Sequence, residues 1–145
     1  MAPPSVLTIP ADVKRIPQVT AALGEALKAS GFSDEAILDL QLAVEEAFAN
    51  TIVHGYRGKA GEVTIAIHAT EEAVEVTIED NAPPFNPLSI PEPDRGSDLG
   101  DRRIGGLGIY LIRQVVDAVD HSYVDGKNIL RLVKKRLHRC GSNPC

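Results

Sequence analysis

Three polar side chains that could do chemistry lie four residues apart: Glu46, Asn50 and His54. On an α-helix this spacing puts them along one stripe. A carboxylate can act as a general base, and a carboxamide oxygen is a suitable ligand for a hard cation. Because apolar residues flank the stripe, the solvent edge of an ordinary helix fits the same pattern. The spacing alone therefore leaves both interpretations open.

A second polar group, Glu79-Asp80-Asn81, lies where a predicted strand runs into a proline-rich segment. An acid at the end of a strand is well placed to accept a hydrogen bond from an amine of a ligand. The Asp-Asn pair is also an ordinary turn former. Ligand binding and a simple turn are both open here.

A third group is rich in glycine: Gly105, Gly106 and Gly108 stand directly before a predicted helix at residues 109–116. Glycines let a backbone approach a phosphate closely, and the N–H groups at a helix start favour an anion. The spacing is neither a Walker A sequence nor the dinucleotide-binding pattern. A plain glycine-rich junction is the alternative to a phosphate loop.

Two helices are predicted upstream of these groups. Asp12 is expected to cap the first helix, and Gly31 is its stop signal. Ser33 is expected to cap a second helix that carries the stripe, keeps Val53 on its apolar face and ends at Gly55.

Alternating apolar residues predict five strands, at residues 5–10, 62–70, 73–79, 118–124 and 129–137. Residues 70–72 are short enough for a hairpin turn, and residues 125–128 are expected to form another turn. Apolar residues face one side only, which is typical of a sheet covered on one face. The order of elements predicts a two-layer α/β sandwich, with helices on one face of a mostly antiparallel mixed sheet.

The composition fits one globular domain of 145 residues, 43% hydrophobic and 24% charged. No apolar run is long enough to span a membrane and no secretion signal is visible, so a cytoplasmic protein is predicted. A net charge of −5 makes nucleic-acid binding a poor fit. Cys140 and Cys145 are expected to be reduced thiols in a flexible tail at residues 138–145, after a single domain at residues 1–137.

Together the three groups resemble the motifs of the GHKL (Bergerat-fold) ATPases. The family's N-box is matched by residues 43–56, AVEEAFANTIVHGY, in the form found in bacterial anti-sigma factor serine kinases of the RsbW/SpoIIAB type. The first glycine box is matched by residues 79–87, EDNAPPFNP, and the second by residues 104–110, IGGLGIY. The resemblance covers residues 5–137 and implies a Bergerat-type ATP-binding fold.

The resemblance implies a role for each matched polar residue. Asn50 would ligate Mg²⁺ on the phosphates of ATP, and Glu46 would be the general base. Asp80 would accept a hydrogen bond from the exocyclic amine of adenine, which favours ATP over GTP. His54 keeps the family's position and is interpreted as structural.

The resemblance also implies that Gly105, Gly106 and Gly108 cradle the phosphates beneath a lid at residues 87–103. One position departs from the family's pattern, because Ala82 stands where the first box commonly has glycine. If that backbone had a positive φ, alanine would cost roughly 1 kcal/mol more than glycine. The departure bears on the shape of the loop and not on the Asp80 contact.

The function that the resemblance implies is an ATP-dependent serine/threonine protein kinase acting as an anti-sigma factor or related switch regulator. Its implied partners are a small antagonist protein, phosphorylated on serine, and a sigma factor or sigma-like regulator. A homodimer is also predicted, because members of the family commonly dimerise and because the strand at residues 5–10 is expected to lie at the edge of the sheet. The alternative is a nucleotide-gated binding module without phosphotransfer. The presence of Glu46 argues against it, because binding alone needs no base.

Overall fold

The computed structural model describes residues 5–89, 108–136, 139–140 and 143–144. The strands are β1 (Ser5–Pro10), β2 (Glu62–Ala69), β3 (Ala73–Asp80), β4 (Ala118–Val124), β5 (Lys127–Lys135), β6 (Arg139–Cys140) and β7 (Asn143–Pro144). The helices are α1 (Ile16–Ala29), α2 (Asp34–Asn50) and α3 (Gly108–Val115). The predicted lid lies outside the described residues from position 90 onward, as do Gly105, Gly106 and Cys145.

Five strands form one sheet in the order β1-β2-β3-β5-β4, and β6 pairs with β7 in a separate short hairpin. Every pairing in the large sheet is antiparallel, so the sheet is not the mostly antiparallel mixed sheet that was predicted. The face toward the helices buries alternate residues of the central strands: Val63, Ile65, Ile67, Val74, Val76, Ile78, Leu130 and Leu132. The predicted fold class, a sheet covered by helices on one face, is confirmed.

The first helix begins later than predicted. Asp12 does act as a cap, but its carboxylate accepts the N–H of Lys14 at 3.0 Å in a 3₁₀ turn, and the α-helix starts only at Ile16. Its end agrees with the prediction. Gly31 has a φ of 81°, the left-handed conformation that glycine adopts without a Cβ clash.

Helix α2 is the long central element, and it packs between α1 and α3. Its predicted cap is confirmed, since the hydroxyl of Ser33 accepts the N–H of Ala36 at 3.1 Å. It buries one apolar face in the core: Ile37, Leu40, Ala43, Val44, Ala47 and Phe48. Among the described residues, no helix is both long and apolar enough to cross a membrane.

The chain does not continue as an α-helix beyond Asn50. Residues Thr51–Gly55 form a π-helical turn, in which the N–H of Tyr56 reaches back five residues to the carbonyl of Thr51 at 2.8 Å. Val53, predicted on the apolar face, is 42% exposed, so that prediction is wrong. Position 53 lies about two and a half α-helical turns after Val44, which is the opposite side of the helix.

The turn between β4 and β5 is shorter than predicted. It contains only Asp125 and Gly126, with φ values of 53° and 79°, the two positive angles of a tight hairpin turn. Asn128 was predicted in that turn but lies in β5, directly opposite Asp80 of β3.

Candidate functional site

Two predicted site residues, Glu46 and Asn50, lie one turn apart on α2. Asn50 is 1% exposed, and neither atom of its amide has a hydrogen-bond partner among the described residues. The Oε2 atom of Glu46 is also buried without a partner there. Buried polar atoms are normally hydrogen-bonded, so this pair is an exception that points to a ligand. For Asn50, the solvent-edge interpretation is wrong.

The surroundings of Glu46 suit a proton acceptor. Burial raises the pKa of its carboxyl, and the negative charge of neighbouring Glu45 raises it further. A base whose pKa is closer to the working pH takes up a proton more effectively.

His54, the third predicted member of the stripe, lies in the π-helical turn that follows α2. It is exposed, whereas Asn50 is buried. Its ring stacks on Phe85, with centroids 6.1 Å apart and planes inclined by 19°. This contact supports the segment around Phe85.

Asp80 ends β3 and is 5% exposed. Its Oδ1 atom accepts two hydrogen bonds, from the N–H of Ala82 at 3.0 Å and from the amide of Asn128 at 2.9 Å. Its Oδ2 atom has no hydrogen-bond partner among the described residues. Burial raises the pKa of Asp80, while those two hydrogen bonds and nearby His121 act to lower it.

Residues 80–85, here called the Asp80 loop, are tied to the end of the π-helical turn by Tyr56. The phenol oxygen of Tyr56 accepts the N–H of Asn81 at 2.9 Å. The same hydroxyl donates to the carbonyl of Glu62 at 2.6 Å. One buried side chain thus joins this loop to the start of β2.

Ala82 fits its place in the Asp80 loop. Among the described residues other than glycine, a positive φ occurs only at Arg57 and Asp125. Ala82 is 1% exposed, and a Cβ built on Gly55 would lie 3.4 Å from its own Cβ. The alanine therefore packs closely against the π-helical turn in a backbone conformation open to any residue.

Sequence reasoning missed Asn128 as a site residue. It is 2% exposed and contacts the Asp80 loop through its side-chain amide. A signal was available in the Asp125-Gly126 pair, a strong two-residue turn former. Starting the strand at Lys127 would have placed Asn128 inside the sheet.

The predicted phosphate cradle is only partly within the described residues. Gly108 is the first residue of α3, and α3 packs against α2, the helix that carries Asn50. Gly105 and Gly106 lie outside the described residues, so their role stays a prediction. The described residues contain no group of three or more His, Cys, Asp and Glu side chains suited to a metal ion.

A cleft of about 550 Å³ borders the Asp80 loop on the side of the π-helical turn. Its lining includes the positively charged side chains of Arg57 and Lys59 and an apolar wall formed by Pro83, Pro84 and Phe85. The wall of this cleft is therefore partly basic and partly apolar.

Residues 9–134 match the family described as the histidine kinase-like ATPase domain. The chain belongs to this family. Within it, this histidine kinase-like ATPase domain is similar to the serine-protein kinase RsbW of Listeria innocua serovar 6a. The two are 34% identical over 129 residues, which cover 86% of this chain and 82% of the relative.

Two further relatives are also serine-protein kinases RsbW. The serine-protein kinase RsbW of Listeria monocytogenes serovar 1/2a is 34% identical over 129 residues, again 86% of this chain and 82% of the relative. The RsbW of Bacillus mycoides is 25% identical over 128 residues, 86% of this chain and 80% of the relative. The predicted family is confirmed.

A crystal structure of the RsbU and RsbW domains of a Mycobacterium tuberculosis protein has the same fold. It matches this histidine kinase-like ATPase domain with a TM-score of 0.65 and 21% identity. The match covers 93% of this chain and 33% of that one. At this identity the likeness supports the fold alone.

Proposed function

We propose that this histidine kinase-like ATPase domain is an ATP-dependent serine-protein kinase. The observation that carries the proposal is the buried, unpaired amide of Asn50, one helical turn from the buried, unpaired Oε2 of Glu46. The two Listeria relatives, which are 34% identical over most of both chains, are serine-protein kinases by name.

Asp80 is the proposed residue that recognises the adenine ring of ATP. An ionised carboxylate only accepts hydrogen bonds, and its Oδ2 atom has no described partner. Adenine presents an exocyclic amine, which donates, whereas guanine presents a carbonyl at the same ring position. A carboxylate there favours ATP over GTP. In GTP the guanine carbonyl oxygen and the carboxylate oxygen would both be acceptors, so no hydrogen bond could form between them.

Asn50 is the proposed protein ligand of Mg²⁺. Its Oδ1 atom is an unpaired, buried oxygen, and Mg²⁺ in such sites takes one or two protein oxygens besides phosphate oxygens and waters. Bound there, the ion would offset the negative charge of the phosphates. We assign the phosphate cradle to Gly105, Gly106 and Gly108.

Glu46 is the proposed general base. In the transfer step its carboxylate would take the proton of a serine hydroxyl, whose oxygen then attacks the terminal phosphorus of ATP and releases ADP. The raised pKa of Glu46 matches this role.

We infer the partners from the resemblance of the three motifs to the family. They are a small antagonist protein, which receives the phosphate on serine, and a sigma factor or sigma-like regulator, met in the cytoplasm. We also propose a homodimer. Its support is that β1 lies at the edge of the sheet, where its outer backbone groups are open to pairing.

The test is phosphate transfer from labelled ATP to a cognate antagonist protein, identified from the neighbouring genes. We expect label on serine of the antagonist with Mg²⁺ and none when the metal is chelated. Asn50→Ala should lose both tight binding of Mg²⁺-ATP and transfer. If the wild type binds ATP and the antagonist but moves no phosphate, the kinase proposal is wrong and the nucleotide-gated binding module stands.

A further inference from the structure

Asn128 is a buried polar residue to which the proposed chemistry gives no role. Its Nδ2 atom lies 2.9 Å from Oδ1 of Asp80 and 3.1 Å from each of two carbonyl oxygens, those of Ala82 and Pro83. Its Oδ1 atom accepts the N–H of Phe85 at 2.9 Å. One side chain, reaching from β5, therefore contacts the Asp80 loop at four points.

These contacts fix the orientation of the amide. Three acceptors surround Nδ2 of Asn128 and a backbone donor faces its Oδ1, so a flipped amide would set acceptor against acceptor. The Nε2 atom of His121 lies 3.2 Å from the same Oδ1. Since that oxygen only accepts, His121 must be the donor. The hydrogen bonds thus run in one direction, from His121 through Asn128 to Asp80.

The contact from Asn128 leaves Asp80 with one occupied and one available oxygen. Oδ1 of Asp80 accepts both the amide of Asn128 and the N–H of Ala82. A carboxylate held through one oxygen cannot rotate freely, so its other oxygen keeps one direction. A fixed acceptor distinguishes an amine from a carbonyl better than a carboxylate that turns to suit either.

Asn128 also holds the backbone of a loop that contains no glycine. Residues 80–85 read DNAPPF, and two of their carbonyls and the N–H of Phe85 are bonded to Asn128. The loop shape thus depends on a side chain from a neighbouring strand.

We propose that Asn128 is a positioning residue that sets the preference for ATP over GTP by holding Asp80 and its loop. The proposal rests on the proposed function, in which Asp80 binds adenine. It adds a residue that lies 48 positions further along the chain and acts through Asp80.

The test compares ATP and GTP affinities, measured by calorimetry, in the wild type and in Asn128→Ala. We expect Asn128→Ala to lower the ratio of ATP to GTP affinity by about tenfold, the equivalent of one hydrogen bond to a charged group. Asn128→Ser is the second variant, because it keeps a polar group in the buried site but is too short to reach all four partners. Arg131→Gln is the control. It removes ion pairs to Glu75 and Asp120 on the same three strands and should leave the ratio unchanged.

Two measurements on ligand-free Asn128→Ala test whether Asn128 holds Asp80 and its loop when no nucleotide is present. Carboxyl NMR should show a higher pKa for Asp80 in Asn128→Ala, because a hydrogen bond that lowers the pKa is lost. Amide exchange at Phe85 should become faster. A folded Asn128→Ala or Asn128→Ser with the wild-type ratio of ATP to GTP affinity and the wild-type Asp80 pKa would overturn the proposed role of Asn128. That result would leave the adenine assignment of Asp80 in place. Equal affinities of the wild type for ATP and GTP would overturn the adenine assignment of Asp80, and the selectivity role of Asn128 with it.

Discussion

The phenol of Tyr56 accepts the N–H of Asn81 at 2.9 Å while it donates to the carbonyl of Glu62 at 2.6 Å. The side chain is 8% exposed, and burial raises its pKa, so the hydroxyl keeps its proton at neutral pH. Tyr56 therefore joins the π-helical turn, the start of β2 and the residue after Asp80.

Tyr56→Phe should lower the free energy of unfolding by about 1–3 kcal/mol, because the partly buried N–H of Asn81 and carbonyl of Glu62 lose their partner. Urea unfolding measures the change. Tyr123→Phe is the matched control, since Tyr123 is 44% exposed on β4. An equal, small effect of both substitutions would show that the Tyr56 hydroxyl does not hold the loop.

Gly61→Ala should displace the ring of Tyr56, because a Cβ on Gly61 would overlap that ring. We expect lower stability together with a shifted amide NMR signal of Asn81. Gly58→Ala is the comparison. Gly58 has a φ of 80°, and a Cβ added there would meet no other atom within 4 Å, so its substitution strains only the local backbone. An unmoved Asn81 signal in Gly61→Ala would contradict the coupling.

The sequence was sufficient where local chemistry decides the structure. Ser33 caps α2, Gly31 stops α1, and the alternating apolar residues of β2 and β3 are buried as predicted. These features depend on a side chain's own geometry or on the two-residue period of a strand. The same period is enough to show which face of the sheet the helices cover.

The sequence was not sufficient where one residue acts on a distant segment. The π-helical turn after Asn50 changes the helical period, so a stripe counted in α-helical steps of four cannot be extended to His54. The Asp80–Asn128 contact joins strands whose pairing skips β4 in chain order, and periodicity carries no information on such a contact. Both differences lie beside the candidate site.

Glu46→Gln should stabilise the protein at about pH 7. The raised pKa of Glu46 means that the folded chain holds the proton more tightly than the unfolded chain. As pH rises from about 4 through the folded-state pKa, ionisation of the Glu46 carboxyl therefore lowers the free energy of unfolding. Glutamine does not ionise, so Glu46→Gln avoids this decrease in stability. Thermal unfolding at several pH values should show an advantage for Glu46→Gln near neutrality that disappears toward pH 4.

The exposed residue Glu25 on α1 provides the control for this comparison, as Glu25→Gln. Its unfolding profile with pH should follow the wild type. A Glu46→Gln protein that is no more stable than the wild type near neutral pH would contradict the burial cost assigned to Glu46.

The proposed homodimer should appear in light scattering at tens of micromolar protein. Val6 on β1 is 66% exposed, and Val6→Lys puts a charge on the sheet edge, which disfavours pairing with a second chain. We expect the wild type to have twice the monomer mass and Val6→Lys to shift toward the monomer. A monomeric wild type would end the dimer proposal.

As the proposed general base, Glu46 takes the proton of the attacking serine hydroxyl and has no part in nucleotide binding. The measurement is the rate of phosphate transfer to serine of the antagonist, set beside the ATP dissociation constant, for the wild type, Glu46→Gln and the neighbouring control Glu45→Gln. We expect Glu46→Gln to keep the wild-type ATP affinity and to lose on the order of 10² to 10⁴ in transfer rate, the usual contribution of a positioned base. Glu45→Gln should stay close to the wild type. A Glu46→Gln protein that transfers phosphate at the wild-type rate would contradict the general-base role of Glu46.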